Sequence, residues 1–240
     1  LDQRPEKFAG RWYFGNKEAL KEHLDNLLKK ANHAGPRLIK DQDGLVIGQA
    51  DCQGQKLLAV VTPHAAMRFS GKAEASAFAA ILDAQKSGGE KFKRIILLGP
   101  SHEYKFEGAA LCHFKTMSTP LGAIINDLEG RDKLAAHPAF KYDDRAHILE
   151  HSLELEFPFI KYCLPDATVL PILVGRIDPV DAQELAQAIK EILKPGDLVL
   201  VSSDFTHYGE FYHYTPFLKD VPANIRKLDL TALKLLNDKN

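Results

Sequence analysis

Three apolar runs in this chain end alike. KLLAVVTPH spans residues 56–64, RIILLGPSH residues 94–102 and DLVLVSSDFTH residues 197–207. Each opens on consecutive Leu, Ile, Val or Ala rather than on alternating apolar and polar residues, the pattern of a strand covered on both faces. Each then turns polar and reaches a histidine: His64, His102 and His207. A sheet buried on both faces needs helices above and below it. This one feature therefore confines the chain to layered α/β architectures.

The remaining sequence supplies such helices. Residues 17–32, with Asn16 as N-cap, place Leu20, Leu24, Leu27 and Leu28 on one helical face. KAEASAFAAILDAQKS (72–87) is a small-residue helix suited to close packing. DPVDAQELAQAIKEILKPG (178–196) is amphipathic and closed by Lys194, Pro195 and Gly196. PANIRKLDLTALKLLNDKN (222–240) reads as helical through Ile225, Leu228, Leu233 and Leu236. AALCHF (109–114) and TVLPILVG (168–175) add strands, and Pro171 points to an edge or a bulge. No internal repeat, low-complexity tract or Gly/Ser linker divides the chain. The expectation is one domain over residues 1–240: a three-layer α/β fold with a central, mostly parallel or mixed sheet flanked by helices.

Composition narrows the function. A formal net charge of −1 gives no global field for nucleic acid or an anionic membrane. No apolar run approaches the roughly 20 residues that span a bilayer. The opening stretch, LDQRPEKFAGRWYFG, lacks the apolar centre of a signal peptide. Cys52, Cys112 and Cys163 form no CxxC pair, so a reducing, cytoplasmic setting is expected. Gly71 and Gly99 read as turn glycines, and neither belongs to a phosphate-binding loop.

In open α/β sheets ligands bind beyond the carboxyl ends of the strands. If the three strands are parallel neighbours, His64, His102 and His207 converge there, and neutral imidazole ligates iron, copper or zinc. Asp204, three residues before His207, offers an oxygen ligand or an orienting partner for an imidazole. The alternative is three separate loop histidines bonded to backbone; with ten histidines in the chain, both readings stay open. A second constellation is HILEHSLELEFPF (147–159), in which His147, Glu150 and His151 have the H-x-x-E-H spacing of a zinc peptidase. Such an enzyme needs a further Glu ligand, and Glu184 and Glu191 are ordinary positions of an amphipathic helix. The competing reading is a helix start in which Glu154 and Glu156 continue the polar face while Leu153, Leu155, Phe157, Phe159 and Ile160 are buried.

RPEKFAGRWY, TPHAAMRFSG, LGPSHEYKFEGAAL, TPLGAIIND, HILEHSLELEFPF, ATVLPILVG and VSSDFTHYG, taken together and in this order, resemble the Memo family, also called the AmmeMemoRadiSam system protein B family. The resemblance runs from about residue 4 to 214. Ala66 stands where a glycine is usual after the PHA motif. The resemblance implies a fold like that of LigB-type class III extradiol dioxygenases, which use non-haem Fe(II). It implies His64 and His102 as metal ligands, with His207 grouped with them. It gives catalytic roles to His207 and Asp204 in lining the pocket and to His151 in substrate or proton handling. The metal expected is Fe(II), with copper or zinc as alternatives. The family's downstream cysteine has no counterpart after Cys163. Either the family's C-terminal segment lies beyond Asn240 or the third ligand differs, and with two secure ligands weak iron binding is expected.

The function so implied is a non-haem iron or copper oxidoreductase. The alternative is a non-catalytic binding or adaptor module on the same fold, as an animal member is described; a zinc hydrolase ranks third. The partners expected are an unidentified small molecule or peptide, with a functional link to radical-SAM and AMMECR-type proteins, and neither nucleic acid nor membrane.

Overall fold

The computed structural model describes residues 2–31, 39–40, 46–48, 57–88 and 91–237. The chain divides into two compact units. One comprises Leu1–Asn32 with Lys56–Ser203, the other His33–Gln55 with Asp204–Asn240.

In chain order the elements are β1 (Gln3–Arg4), α1 (Lys17–Lys30), β2 (Ile39–Lys40), β3 (Val46–Gly48), β4 (Ala59–Thr62), α2 (Met67–Gly88), β5 (Arg94–Pro100) and β6 (Ala109–Leu111). They continue with β7 (Thr116–Met117), β8 (Ile124–Ile125), α3 (Leu128–Ala135), β9 (Phe140–Tyr142), α4 (Asp144–Leu149), α5 (His151–Glu154) and α6 (Phe157–Cys163). The last are β10 (Thr168–Val174), α7 (Pro179–Ile192), β11 (Asp197–Ser202) and α8 (Val221–Asn237).

The first unit is built on a six-stranded sheet of order β4-β11-β5-β10-β6-β9. Every pairing in it is parallel except β10 with β6. Period-two alternation along β5 sends Ile95 and Leu97 into one core and Ile96 into the other. The first core takes Leu20 and Leu24 of α1, Phe78 of α2, Leu153 of α5 and Phe159 of α6. The second takes Leu134 of α3 and Leu185, Ile189 and Ile192 of α7. Three layers result, as the doubly apolar strands required. The second unit contains the antiparallel pair β2–β3, a 3-10 turn at Glu210–Tyr212 and α8. No helix among the described residues is long and apolar enough to cross a membrane.

The helix termini follow local chemistry. Asn16 caps α1 through its side chain, and Asp178 with Asp181 forms a capping box on α7. Some expectations are corrected. KLLAVVTP is not a buried strand: β4 lies at the sheet edge, with Ala59 and Val61 exposed. Conversely, β10 lies inside the sheet despite Pro171. It pairs with β5 along its full length, and its other side meets Asn126 at Val169 and β6 only at Leu173 and Val174. Pro171 falls between those two contacts, where a missing N–H costs the ladder least. Gly71 is not in a turn but within α2, where a Cβ would come within 3.0 Å of Leu27 on α1. Gly99 serves close approach too: a Cβ there would meet Ser152 Oγ and Leu153 Cδ2 at 2.8 Å. This glycine lets α5 lie directly on β5. Cys52 lies outside the described residues.

Glu154 and Glu156 do not continue a polar face. Both side chains are fully buried, while Leu153, Leu155, Phe157, Phe159 and Ile160 are buried as expected. The reason lies at the other end of the chain. Arg4 Nη1 donates to Glu154 Oε2 at 2.6 Å, and the two side chains are 1% and 0% exposed. Glu154 Oε1 also accepts from the Lys7 and Phe8 amides and from the Tyr13 hydroxyl. The rest of the Arg4 guanidinium caps the end of α4: Nε donates to the His147 carbonyl at 2.7 Å and Nη2 to the Glu150 carbonyl at 2.8 Å. Removing one partner of a buried, hydrogen-bonded pair strands the other charge. Arg4→Met should therefore lower the urea-derived unfolding free energy by about 3–5 kcal/mol. A loss under about 1 kcal/mol would show that the segment around Glu154 holds without this pair.

Candidate metal centre

Two of the strand-end histidines meet. His64 stands two residues past β4 and His102 two residues past β5, and the strands flank β11 in the sheet. Their ring centroids are 5.2 Å apart. A third imidazole comes from α5: His151 lies 5.5 Å from His64 and 4.4 Å from His102, ring to ring. One potential ligand atom from each of the three lies within 4.8 Å of those of the other two, which suits a metal ion.

Neighbouring groups decide which ring nitrogen each histidine presents. Ser202 Oγ, at the end of β11, donates to the Ser152 carbonyl at 2.6 Å. Its single hydrogen is thereby used, so at 2.9 Å it must accept from His64 Nδ1. His64 is thus the Nδ1–H tautomer, with its lone pair on Nε2. His102 Nδ1 lies 2.8 Å from Glu150 Oε1, and an ionised carboxylate only accepts. His102 is the same tautomer. Glu150 is buried, yet its carboxyl is held down to about 2: the hydrogen bonds from the His102 ring and from the His102 and Ser152 amides outweigh the desolvation that pushes the other way. The donor set therefore fits a transition metal, as neutral imidazoles whose Nδ1–H groups are anchored and whose Nε2 atoms can ligate. One wall is aromatic, with Trp12 4.7 Å and Phe8 5.8 Å from the His151 ring. The His102 side chain is 40% exposed, so the site is open on that flank.

The zinc-peptidase spacing is not realised. Glu150 adopts an extended backbone, φ −87° and ψ 131°, which ends α4 and starts α5. His147 and His151 therefore do not share one helical face. His147 turns inward, its Nε2 donating to the Ala110 carbonyl at 2.9 Å. His207 and Asp204 belong to the second unit. There Asp204 Oδ2 lies 3.6 Å from His207 Nε2, the Phe205 carbonyl 3.1 Å from its Nδ1, and the Tyr212 ring 4.8 Å from the imidazole. Sequence reasoning gave His151 a supporting role and missed Ser202 as the partner of His64, Glu150 as the partner of His102 and Trp12 as the ring against His151. Ser202 had a visible signal, as the first polar residue after a doubly buried strand.

His147 generates a pH prediction. Burial disfavours its charged form and lowers its pKa from 6.5 to about 4. The unfolded chain therefore binds this proton more readily than the folded one. The stability at stake is complete above pH 6.5 and is lost as pH falls from about 6.5 to 4. Urea titrations should show a loss of about 1–3 kcal/mol across that window, and His147→Gln, which can still donate to Ala110, should flatten it.

The same chain matches the family model for Memo-like protein over residues 4–240. It is 29% identical to the protein memo-1 homolog of Caenorhabditis elegans, over 98% of this chain and 63% of the relative. A MEMO1 family protein of Thermococcus kodakarensis is 33% identical over 77% of this chain and 65% of its own length. One from Aquifex aeolicus is 32% identical over 62% of this chain and 54% of its own length. The chain thus spans somewhat less than two thirds of each of these relatives. With the match extending over almost every residue that builds the sheet and the histidine cluster, the chain belongs to the Memo family.

Proposed function

We propose that this chain is a metal-dependent oxidoreductase of the Memo family, with Fe(II) as the resident metal and copper as the alternative. The observation that carries the reading is the pair of tautomer-locked imidazoles, His64 and His102, facing a third, His151. Surface histidines rarely have their Nδ1–H groups anchored by buried partners; metal-ligating ones regularly do. Fe(II) held by imidazoles keeps open coordination positions and supplies one-electron redox chemistry.

The protein's own groups would do the rest. Ser202 and Glu150 hold the ligand nitrogens in place, so that binding requires little reorganisation. Trp12 and Phe8 keep water from the His151 side. The exposed His102 flank admits substrate. His207, with Asp204 Oδ2 3.6 Å from its Nε2, is the group proposed to handle protons. With His151 as third imidazole, the weak binding expected from two ligands gives way to an expectation of one tight equivalent.

The single tryptophan of the chain, Trp12, reports on loading, because its ring packs against His151 at 4.7 Å. Anaerobic Fe(II) titration should quench its fluorescence with a one-to-one endpoint. His64→Ala, His102→Ala and His151→Ala should each weaken binding by roughly 10–100-fold or more while leaving the far-UV circular dichroism intact. If His147→Ala removed the metal and His64→Ala did not, the centre would lie elsewhere. His207→Ala should retain the one-to-one stoichiometry, and loss of substrate-dependent oxygen uptake with iron still bound is the outcome expected of a proton-handling residue. Oxygen uptake by the iron-loaded chain, tested with a catechol panel, should depend on substrate. Tight iron without any substrate-dependent uptake would favour the binding-module function instead.

A further inference from the structure

We propose, on the reading of the pocket as a metal site, that Glu150 is its positioning residue: one buried carboxylate that sets which nitrogen His102 presents and braces His151 beside it. Oε1 accepts from His102 Nδ1 at 2.8 Å and from the amides of His151 and Ser152 at 2.9 and 3.0 Å. It also lies 3.3 Å from His151 Nδ1. Oε2 accepts from the His102 amide at 2.6 Å. The carboxylate thus grips His102 at both backbone and ring and reaches the same ring atom of His151. The two imidazoles stack at 4.4 Å with an interplanar angle of 25°, both with Nδ1 toward Glu150. With Nδ1 held by the carboxylate, His102 presents Nε2 as its ligating nitrogen.

A helix cap alone does not require this arrangement. Capping α5 needs only an acceptor for the His151 and Ser152 amides, and a local side chain suffices. The grip on His102 crosses 48 residues of sequence and adds nothing to a cap. It ties the loop after β5 to the break between α4 and α5, which are the two segments that must keep register for His102 and His151 to share a metal. The side chain of Glu150 is 1% exposed, so water does not compete for its oxygens. Three neutral imidazoles bring no charge, and Glu150 places one negative charge against two of them, which raises their basicity as ligands.

Glu150→Gln is the discriminating variant, because it keeps the shape and spoils the acceptor set. If the amide nitrogen replaces Oε2 it faces the His102 N–H; if it replaces Oε1 it faces the ring Nδ1–H. Glu150→Asp keeps two acceptor oxygens and is the conservative control. The full chain, labelled with ¹⁵N-histidine and free of metal, reports the His102 tautomer by long-range ¹H–¹⁵N correlation, with His102→Gln for assignment. Co(II) titration then gives affinity through its visible absorption. The wild type should show His102 as the pure Nδ1–H tautomer. Glu150→Gln should mix the tautomers and weaken Co(II) binding by about 10–100-fold, and Glu150→Asp should recover part of both. A mixed tautomer at His102 in the wild type overturns the proposal, whether or not a variant folds. Tight Co(II) binding that Glu150→Gln leaves unchanged, with the tautomer also unchanged, overturns it while sparing the metal reading. A wild type that takes up no Co(II), yet holds one tautomer that Glu150→Gln releases, removes the metal reading and keeps the positioning role.

Discussion

The ion pair between Arg4 and Glu154 is the interaction on which the rest of the first unit depends. Two charges with almost no exposure would be costly to bury alone. They are tolerated because nearly every polar atom around them has a partner. Glu154 collects the Arg4 guanidinium, two backbone amides and the Tyr13 hydroxyl. Arg4 in turn takes up carbonyls at the end of α4 that would otherwise be left orphaned by the break at Glu150. The pair thereby stabilises an interruption that an isolated helix would close.

That interruption is what the histidine cluster requires. In an unbroken helix His147 and His151 would point the same way. With the break, His147 goes into the core and His151 turns toward His64 and His102. The N-terminal segment held by Glu154 also carries Phe8 and Trp12, the rings that pack on His151. One buried pair thus governs the end of α4, the start of α5 and the aromatic wall. The opposite end of the sheet is a useful contrast. There Arg94 is consumed by Asp127, Asp197 and the Ile192 carbonyl, an arrangement that ties β5, β11 and α7 together.

The cluster combines rigidity with access. His64 is almost fully buried and its tautomer is set by Ser202, a residue of the strand between the two histidine-bearing strands. His102 is partly exposed yet held at ring and amide by Glu150. An imidazole free to rotate would lose rotamer and tautomer freedom on binding a metal. Here the fold has already taken that freedom away. Gly99 belongs to the same arrangement, since any larger residue would push α5, and His151 with it, off β5.

Much of this was legible in the sequence alone. Doubly apolar strands dictated a covered sheet, because residues on both sides of a strand must leave water. Amphipathic periods dictated the faces of α1 and α7, and the runs ending in His64 and His102 put both at strand ends, where α/β folds bind ligands. These features are local: each is written within a few turns or one strand. What tertiary structure alone decided is who meets whom. HSLELEF reads as an alternating polar face, yet Glu154 is buried because Arg4, 150 positions away, comes to meet it. Glu150 read as the middle residue of a helical H-x-x-E-H motif, yet it leaves the helix to hold a histidine from another loop. Pro171 read as a sheet edge or a bulge, yet it lies in an interior strand, in unbroken register with β5 and opposite a gap in the ladder on the other side. Periodicity records how a residue sits relative to its own helix or strand axis. It carries no information about a partner brought in by the fold, and partners of that kind decide which carboxylates can be buried and which histidines share a site.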